Sequence, residues 1–502
     1  MRILIFLFVL CPALALAQTD TLTRVVLTPD ESKEDFNYYR RLLQETHPGL
    51  YRYTSEERMQ SKLDSIDQLL DKPLAFYEFY KIMTALVSDI RCAHTTALPT
   101  SDFRKYLNNI KTLPLFLYPI QDRLYVIFNG TTDPNITLGY ELFEINGHCV
   151  DSVSSILKRH YWADGYAEPS KNTVLLGGVF CLFYYSIIER PGAFRLRFKD
   201  LSGKEYAVTV PAQLYAETEK LYKKSSTNKK AREFYNKKYK SPWRLSFLSD
   251  LKSTAVLRFD GFGGKGMNTG DQARLGMQKF MDKSLDKIEK KECRYLIVDV
   301  RSNSGGWDTQ GIELFTYLMK QDTPVRYYQR QHAIVDSSEF LAFSDLSEED
   351  RRNVKEELKM EADGTFSLVE EKNPDLKLQY PKPNRFKGNV YFLMNERSYS
   401  TTSEFLAVCK SNKVGIMVGE EAGGAYEGGN GFSFIHLTLP NSKIHVGTPL
   451  VYYQNAVQPV QQKGRGTMPD FRVVIQPEDI ITDYGREMEF VKEMIRKVER
   501  EN

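Results

Sequence analysis

The stretch RYLIVDV at residues 294–300 constrains this chain more than any other. Its apolar residues run without alternation, and Ile297, Val298 and Val300 branch at Cβ. A short unbroken run of this kind reads as a strand covered on both faces, the pattern of a parallel sheet. It ends in RSNSGGWD, residues 301–308, a polar glycine-rich loop. TAVLRF (254–259) precedes it as a second strand, and DQARLGMQKFMDKSLDKIEKK (271–291) has helical periodicity. After the loop, IELFTYLMK (312–320) is helical and GNVYFLM (388–394) restarts the apolar strand pattern. Strands alternating with helices predict an α/β unit over residues 251–485. Within it, residues 325–385 are polar and charged, and read as a surface insertion.

A chain of 502 residues has room for two to four domains. Residues 18–110 read as a helical domain, with an expected cap at Asp30 and a stop at Pro48. Residues 111–215 change to short strand-like runs separated by turns. GYELFEINGHCVDSVSSIL (139–157) reads there as strand, Asn-Gly turn, short strand and helix. Residues 216–250 are lysine-rich. A basic groove for nucleic acid or an anionic surface competes there with a solvated linker, and Glu217, Glu219 and Glu233 favour the linker. Residues 486–502 read as a terminal helix.

The N-terminus, MRILIFLFVLCPALALAQ, has a positive start, an apolar run and a small-residue site after Ala17. It predicts a cleaved export signal over residues 1–17, and a periplasmic or extracellular protein with no transmembrane segment. Leu10 is a poor residue before a lipidated Cys11. The net charge of +3 excludes a strongly basic nucleic-acid binder. Cys92, Cys149, Cys181, Cys293 and Cys409 are few and widely spaced. Their spacing suits neither a disulfide framework nor zinc, leaves room for one disulfide, and favours buried thiols. No metal or organic cofactor is expected. The sequons at Asn129 and Asn135 matter only in a glycosylating cell.

Hydroxyl residues crowd NERSYSTTSEF, residues 395–405, where a strand gives way to a helix. Thr401-Thr402-Ser403-Glu404 fits a capping box, a purely structural use. The same place suits a nucleophile. A serine just before a helix sits where outward backbone N–H groups and the helix dipole stabilise negative charge. Ser400 occupies that position. Gly305-Gly306 at the end of the central strand permits close backbone approach to a ligand, or is an ordinary turn. A phosphate loop is disfavoured, because neither phosphate-loop nor dinucleotide spacing is present.

In order and spacing, TAVLRFDGF, YLIVDVRSNSGG, SYSTTSEF, VGEEAGG and GRGTMPDFRV resemble the carboxy-terminal processing (tail-specific) peptidases and their tricorn-like branch. GYELFEINGHCVDSV resembles the core of the PDZ-like module that often precedes this catalytic domain. ETHPGLYRY and LVSDIRCAHTTALP resemble the N-terminal helical region of secreted members. The resemblance implies an α/β fold with a crotonase-like core, a PDZ-like β module over 111–215, and serine peptidase activity without cofactors. Carried over, Ser400 is the nucleophile, and the backbone N–H groups of Gly305 or Gly306 and of Thr401 are the expected oxyanion donors. The lysine base of one branch aligns with Ala425, which rules out a Ser–Lys dyad. The histidine of the tricorn-like branch aligns with His94 in DIRCAHTT, with Ala93 in place of the usual glycine. The branch's glutamate falls in VQQKGRGTMPD, where Gln462 and Lys463 stand and no carboxylate does. Glu420 and Glu421 read more simply as part of a structural turn. The histidine's orienting group is therefore unidentified.

The expected function is a secreted serine endopeptidase acting on peptides or unfolded proteins. The rival expectation is a peptide-binding or scaffolding protein that kept the fold and lost turnover. Binding of an apolar ligand between domains is a weaker third.

Overall fold

The computed structural model describes residues 21–235, 239, 241–459, 462–481 and 485–501. The expected export signal, with Cys11, lies outside them. The N-terminal region holds three main helices, Pro29–Thr46, Glu56–Leu69 and Phe76–Ile90. The first is capped by Thr28 rather than Asp30. The Thr28 hydroxyl accepts from the Glu31 N–H, and the Glu31 carboxylate accepts from the Thr28 N–H. Phe36, Tyr39, Leu42 and Leu43 point from this helix into the core.

Residues 115–211 contain an antiparallel sheet whose strands lie in the order Glu205–Pro211, Ala193–Lys199, Glu141–Ile145, Arg123–Asn129, Leu115–Ile120. Leu115–Ile120 is an edge strand, yet every residue in it is buried. The helix Val150–Lys158 packs on this sheet through Val153 and Leu157. Asn129 is buried here, and its side-chain amide donates to the Asp133 and Ile136 carbonyls, so that sequon is closed to modification.

The second sheet has the order Trp243–Phe247, Thr254–Phe259, Tyr295–Asp299, Asn389–Met394, Ile416–Gly419, Phe471–Arg472. All its pairings are parallel except the first. The expected parallel α/β unit is present, and Tyr295–Asp299 is buried throughout, as its composition requires. Two expected boundaries need correction. The linker assigned to 216–250 gives its last part to this sheet: Trp243–Phe247 pairs with Thr254–Phe259, and the Trp243 indole N–H donates to the Gly261 carbonyl at 2.9 Å. Before that strand, Tyr215–Lys224 and Lys229–Tyr235 are short helices.

The segment 325–385 is not only a surface insertion. Tyr328–Ala333 is an inner strand of a third sheet, paired with His445–Asn455 on one side and Phe366–Leu368 on the other. Tyr327 and Tyr328 are wholly buried. Their polar neighbours hid them in the sequence. The helix Glu348–Glu357 has no buried residue and fits the surface expectation.

The third sheet joins the two halves of the molecule. Thr96–Leu98, from the helical N-terminal region, pairs antiparallel with His445–Gly447. One apolar core runs from the N-terminal helices through the antiparallel sheet to Ile435, Val446 and Leu450. A second packs between the parallel sheet and its helices, around Val298, Phe392 and Phe405. Among the described residues no single helix is long and apolar enough to cross a membrane. The five cysteines among the described residues are free, with Cys92, Cys181 and Cys409 buried.

Candidate active site

The turn after Asn389–Met394 is pinned from three sides. The Ser398 hydroxyl donates to the Val300 carbonyl at 2.9 Å and accepts from the Asn395 N–H at 3.1 Å. The Tyr399 N–H donates to the Asn303 carbonyl, and the Gly423 N–H to the Ser398 carbonyl, both at 2.9 Å. So fixed, the chain turns sharply into the helix Thr401–Ser411, with Ser400 at the N-cap at φ 52°, ψ −130°. This conformation suits glycine and is strained for any other residue.

The crowded hydroxyls now separate by role. Ser398 ties the turn to the central strand's end. Thr401 Oγ1 donates to the Gly306 carbonyl at 2.9 Å, and Ser403 Oγ to the Ser400 carbonyl at 2.7 Å. Thr402 Oγ1 is buried without a partner. Ser400 is half-buried and its hydroxyl makes no hydrogen bond among the described residues. The expected capping box does not form. The cap is Ser400, not Thr401, and no side chain closes it. Glu404 turns into the core instead, where it accepts from the Tyr328 hydroxyl. Burial pushes its carboxyl up to about 7 against the hydrogen bonds of Tyr328 and Tyr453.

Gly305 and Gly306 lie directly against Ser400, at φ 97° and 137°. A Cβ on Gly305 would stand 2.7 Å from Ser400 Cβ and 3.0 Å from the Thr401 nitrogen. A Cβ on Gly306 would meet the Phe262 carbonyl oxygen at 1.6 Å. Both positions therefore require glycine. The Gly305 N–H is already engaged, donating to Asn303 Oδ1 at 2.9 Å. No intramolecular acceptor takes the Gly306 or Thr401 N–H among the described residues.

His94 comes from the far end of the sequence. The helix Phe76–Ile90 ends at Arg91, in the left-handed region at φ 59°. The loop after it is held by the Ala93 N–H donating to Asp164 Oδ1 at 2.9 Å, and by the Gly165 N–H donating to the Arg91 carbonyl at 2.9 Å. Thr95 Oγ1 hydrogen-bonds His47 Nε2 at 2.8 Å. The strand Thr96–Leu98 then fastens the loop to the third sheet. The His94 ring packs between Tyr399, at 5.7 Å between centroids, and Phe434, at 5.5 Å. It is thus beside the residue that precedes Ser400, with no hydrogen bond to Ser400 itself. Its Nδ1 is buried without a partner. Burial lowers its pKa, while the Asp164 charge and the Asn430 backbone oppose that shift.

The other histidines lie elsewhere. His47 is buried, bonded at both ring nitrogens, and its pKa falls to about 4 through burial. His160 bonds Thr84 Oγ1. His332 packs against Tyr452, and His436 stacks on His445. His148 sits in an exposed hairpin. Ala425 stands where the lysine branch would carry its base, and bridges to Gly466. Glu421 holds Arg465 and the Gly466 N–H, and Glu420 pairs with Arg472, so both carboxylates are spoken for structurally.

The side chain missed in the sequence is Asp164. It follows Trp162-Ala163 in an undistinguished loop, and Asp-Gly there signals only a turn. It is 3 % exposed, with Oδ2 buried. The Tyr399 hydroxyl lies alongside, and burial together with the Asp164 charge raises that phenol well above its usual range. The backbone of Gly424 and Gly429 passes close by: a Cβ on either would stand 3.6 or 3.5 Å from Oδ2, in ordinary contact, while Ser403 Oγ at 2.1 Å and the Tyr453 hydroxyl at 2.7 Å are what exclude one.

Below the turn, an ion network closes the strand ends. Arg301 pairs with Asp299 at 2.8 Å and with Glu487 at 3.0 Å, and Arg258 pairs with Asp299 at 2.7 Å. A cavity of about 800 Å³ opens there, lined by Tyr118 and Gln121 of the antiparallel sheet's edge and by Arg301, Asn395 and Arg397. Arg397 spans it, donating to the Tyr118 hydroxyl at 2.6 Å. Ser400 and His94 are not among its lining residues. Among the described residues no group of three or more His, Cys, Asp or Glu side chains could hold a metal ion.

Residues 253–473 match the model of peptidase family S41. The chain carries a family S41 peptidase domain. That makes it a serine peptidase, and the domain spans the parallel sheet, the glycine loop and the Ser400 turn. In fold the whole chain is similar to mature CPAF, at 15 % identity and a TM-score of 0.57, covering 94 % of this chain and 96 % of that one. It is equally similar to mature CPAF complexed with lactacystin, at 15 % identity and a TM-score of 0.59, covering 94 % and 99 %. A photosystem II D1 C-terminal processing protease matches at 12 % identity and a TM-score of 0.40, over 91 % of this chain and 96 % of that one. No curated protein matches in sequence. The likeness to CPAF includes the N-terminal helices and the antiparallel sheet, so the S41 domain and both attached regions share one architecture.

Proposed function

We propose that the chain is an exported endopeptidase that cleaves peptide bonds through an acyl-enzyme on Ser400, with His94 as general base. The observation that carries this is the strained, hydrogen-bond-free Ser400 at a helix N-terminus, against two glycines that no other residue could replace. Backbone strain at a half-exposed hydroxyl that makes no hydrogen bond is characteristic of a functional site. Ser400 Oγ attacks the substrate carbonyl carbon, and its proton passes to His94. The oxyanion is held by the N–H groups of Gly306 and Thr401, while Gly305, whose own N–H is engaged, sets their spacing. His94 then gives the proton to the departing amine. Water, deprotonated by His94, attacks the acyl carbon; the bond to Ser400 Oγ breaks, His94 returns the proton to that oxygen, and the acyl group leaves as a carboxylic acid. Burial keeps the imidazole neutral near pH 7, the form a base needs. A small movement of the His94 loop toward Ser400 is required on substrate binding.

The core is crotonase-like on this proposal, and residues 111–215 serve as a PDZ-like module. The 800 Å³ cavity beside Tyr118 and Gln121 would receive an extended substrate segment. Substrates are peptides and unfolded proteins, met in the periplasm or outside the cell.

The test is digestion of an unstructured protein by residues 18–502, beside Ser400→Ala and His94→Ala, with cut sites located by mass spectrometry. A serine-directed fluorophosphonate should label the wild type at Ser400 only. Cleavage surviving in Ser400→Ala, or a label on another residue, refutes the assignment.

A further inference from the structure

We propose that Asp164 is the positioning carboxylate of the active site, holding the His94 loop and stabilising the imidazolium that forms as Ser400 is acylated. The proposal rests on the Ser400–His94 assignment and supplies the orienting group which that assignment lacks. Two contacts define its place. Asp164 Oδ1 accepts from the Ala93 N–H at 2.9 Å, which fixes the backbone one residue before His94. The neighbouring Gly165 bonds Arg91 in both directions, through its N–H at 2.9 Å and through its carbonyl from Arg91 Nη1 at 3.2 Å. The loop carrying the base is thereby docked on the loop carrying the carboxylate.

The second oxygen is the informative one. Oδ2 is buried with the Tyr399 hydroxyl as its hydrogen-bonding neighbour and, among the described residues, no salt bridge to a cation, a costly place for a carboxylate. The Tyr399 hydroxyl lies beside it, and the Tyr399 ring also packs on His94. Asp164 therefore adjoins both the base's loop and the residue before the nucleophile. His94 is faced by Cys92 on its own loop, by Tyr399, by Phe434 and the Asn430 backbone of the strand Gly428–Thr438, and by Asp164. Asp164 is the charge among these. Arg52 feels the charges of both Asp164 and Glu427, and among the described residues no salt bridge joins it to either carboxylate. A fixed negative charge in so dry a site favours the imidazolium over the neutral ring. The glutamate expected from the resemblance is absent, and a carboxylate from a different loop stands in this neighbourhood instead.

Asp164→Asn keeps an acceptor for Ala93 and removes the charge. We expect kcat to fall about 10- to 100-fold with KM nearly unchanged, less than the roughly 10²- to 10⁴-fold that loss of the base itself costs, because Asp164 acts through the ring. The acid limb of the kcat/KM profile should move to lower pH, because the imidazolium loses its counter-charge. Asp164→Glu should restore part of kcat. In a His94→Ala background, Asp164→Asn should cause no further loss of residual activity, since the carboxylate acts through the ring. An unmoved acid limb, or an equal further loss in that background, overturns the proposal while leaving Ser400 and His94 in place. Failure of Asp164→Asn to fold, judged by circular dichroism, also overturns it, since the role is then structural. If His94→Ala itself retains full activity, the Ser400–His94 assignment fails first, and that result is separately readable.

Discussion

Ser400 should make the protein less stable than a glycine would at the same place. At φ 52°, ψ −130°, a residue with a Cβ is held outside its favoured regions, at a cost of about 1–3 kcal/mol. Ser400→Gly relieves that cost. It also gives the unfolded chain more freedom, which returns about 0.5–1 kcal/mol. The net gain is about 1 kcal/mol. Ser400→Ala keeps the Cβ, and so keeps the strain. Ser400 donates no hydrogen bond whose loss would enter the comparison. Both variants lack the proposed nucleophile, so the contrast isolates the backbone. Urea unfolding followed by tryptophan emission should place the glycine variant at the higher midpoint with the same slope. Both should be inactive. If Ser400→Gly is equal to or less stable than Ser400→Ala, the turn stores no strain, and the main argument for Ser400 over its neighbouring hydroxyls is lost.

Further outcomes follow from the same geometry. Gly306→Ala should abolish fluorophosphonate labelling, because its Cβ would enter the Phe262 carbonyl and force the loop away from Ser400. Glu404 binds its proton more tightly folded than unfolded, with its carboxyl at about 7 against an ordinary 4.5. The native state then holds the extra proton between those values, so this group's stabilisation is complete below about pH 4.5 and is lost as pH rises through 7, a change of about 3 kcal/mol. Glu404→Gln should flatten that part of a stability–pH curve, and an unchanged slope refutes it. Burial raises the Asp299 pKa, but Arg301 and Arg258 outweigh it and hold the carboxylate ionised. Arg301→Met leaves Asp299 and Glu487 without their central partner, and should cost about 3–5 kcal/mol in urea unfolding.

Much of the peptidase domain was legible because local patterns there agree with the fold. Tyr295–Asp299 is apolar on both faces and lies inside a parallel sheet. Gly305 and Gly306 stand where a Cβ cannot fit, and the Ser400 turn falls between a clear strand and a clear helix. The sequence misled where a long-range contact outweighs a local signal. Thr401 and Glu404 have capping-box spacing, yet Glu404 is drawn inward by Tyr328, whose own strand looked like surface insertion. Trp243–Phe247 looked like the end of a lysine-rich linker, until pairing with Thr254–Phe259 made it the sheet's edge.

Sequence alone determined the strand, the tight turn and the helix start around position 400, because these are local and their residue types are specific. Only the tertiary structure decided what faces them. His94 reaches Tyr399 because Thr96–Leu98 pairs with a strand some 350 residues later. Asp164 reaches the same loop through one backbone hydrogen bond from a connection with no pattern of its own. A hydroxyl's backbone strain is written in neighbouring residues, whereas the charge beside a histidine depends on how distant loops pack, and periodicity carries no record of that.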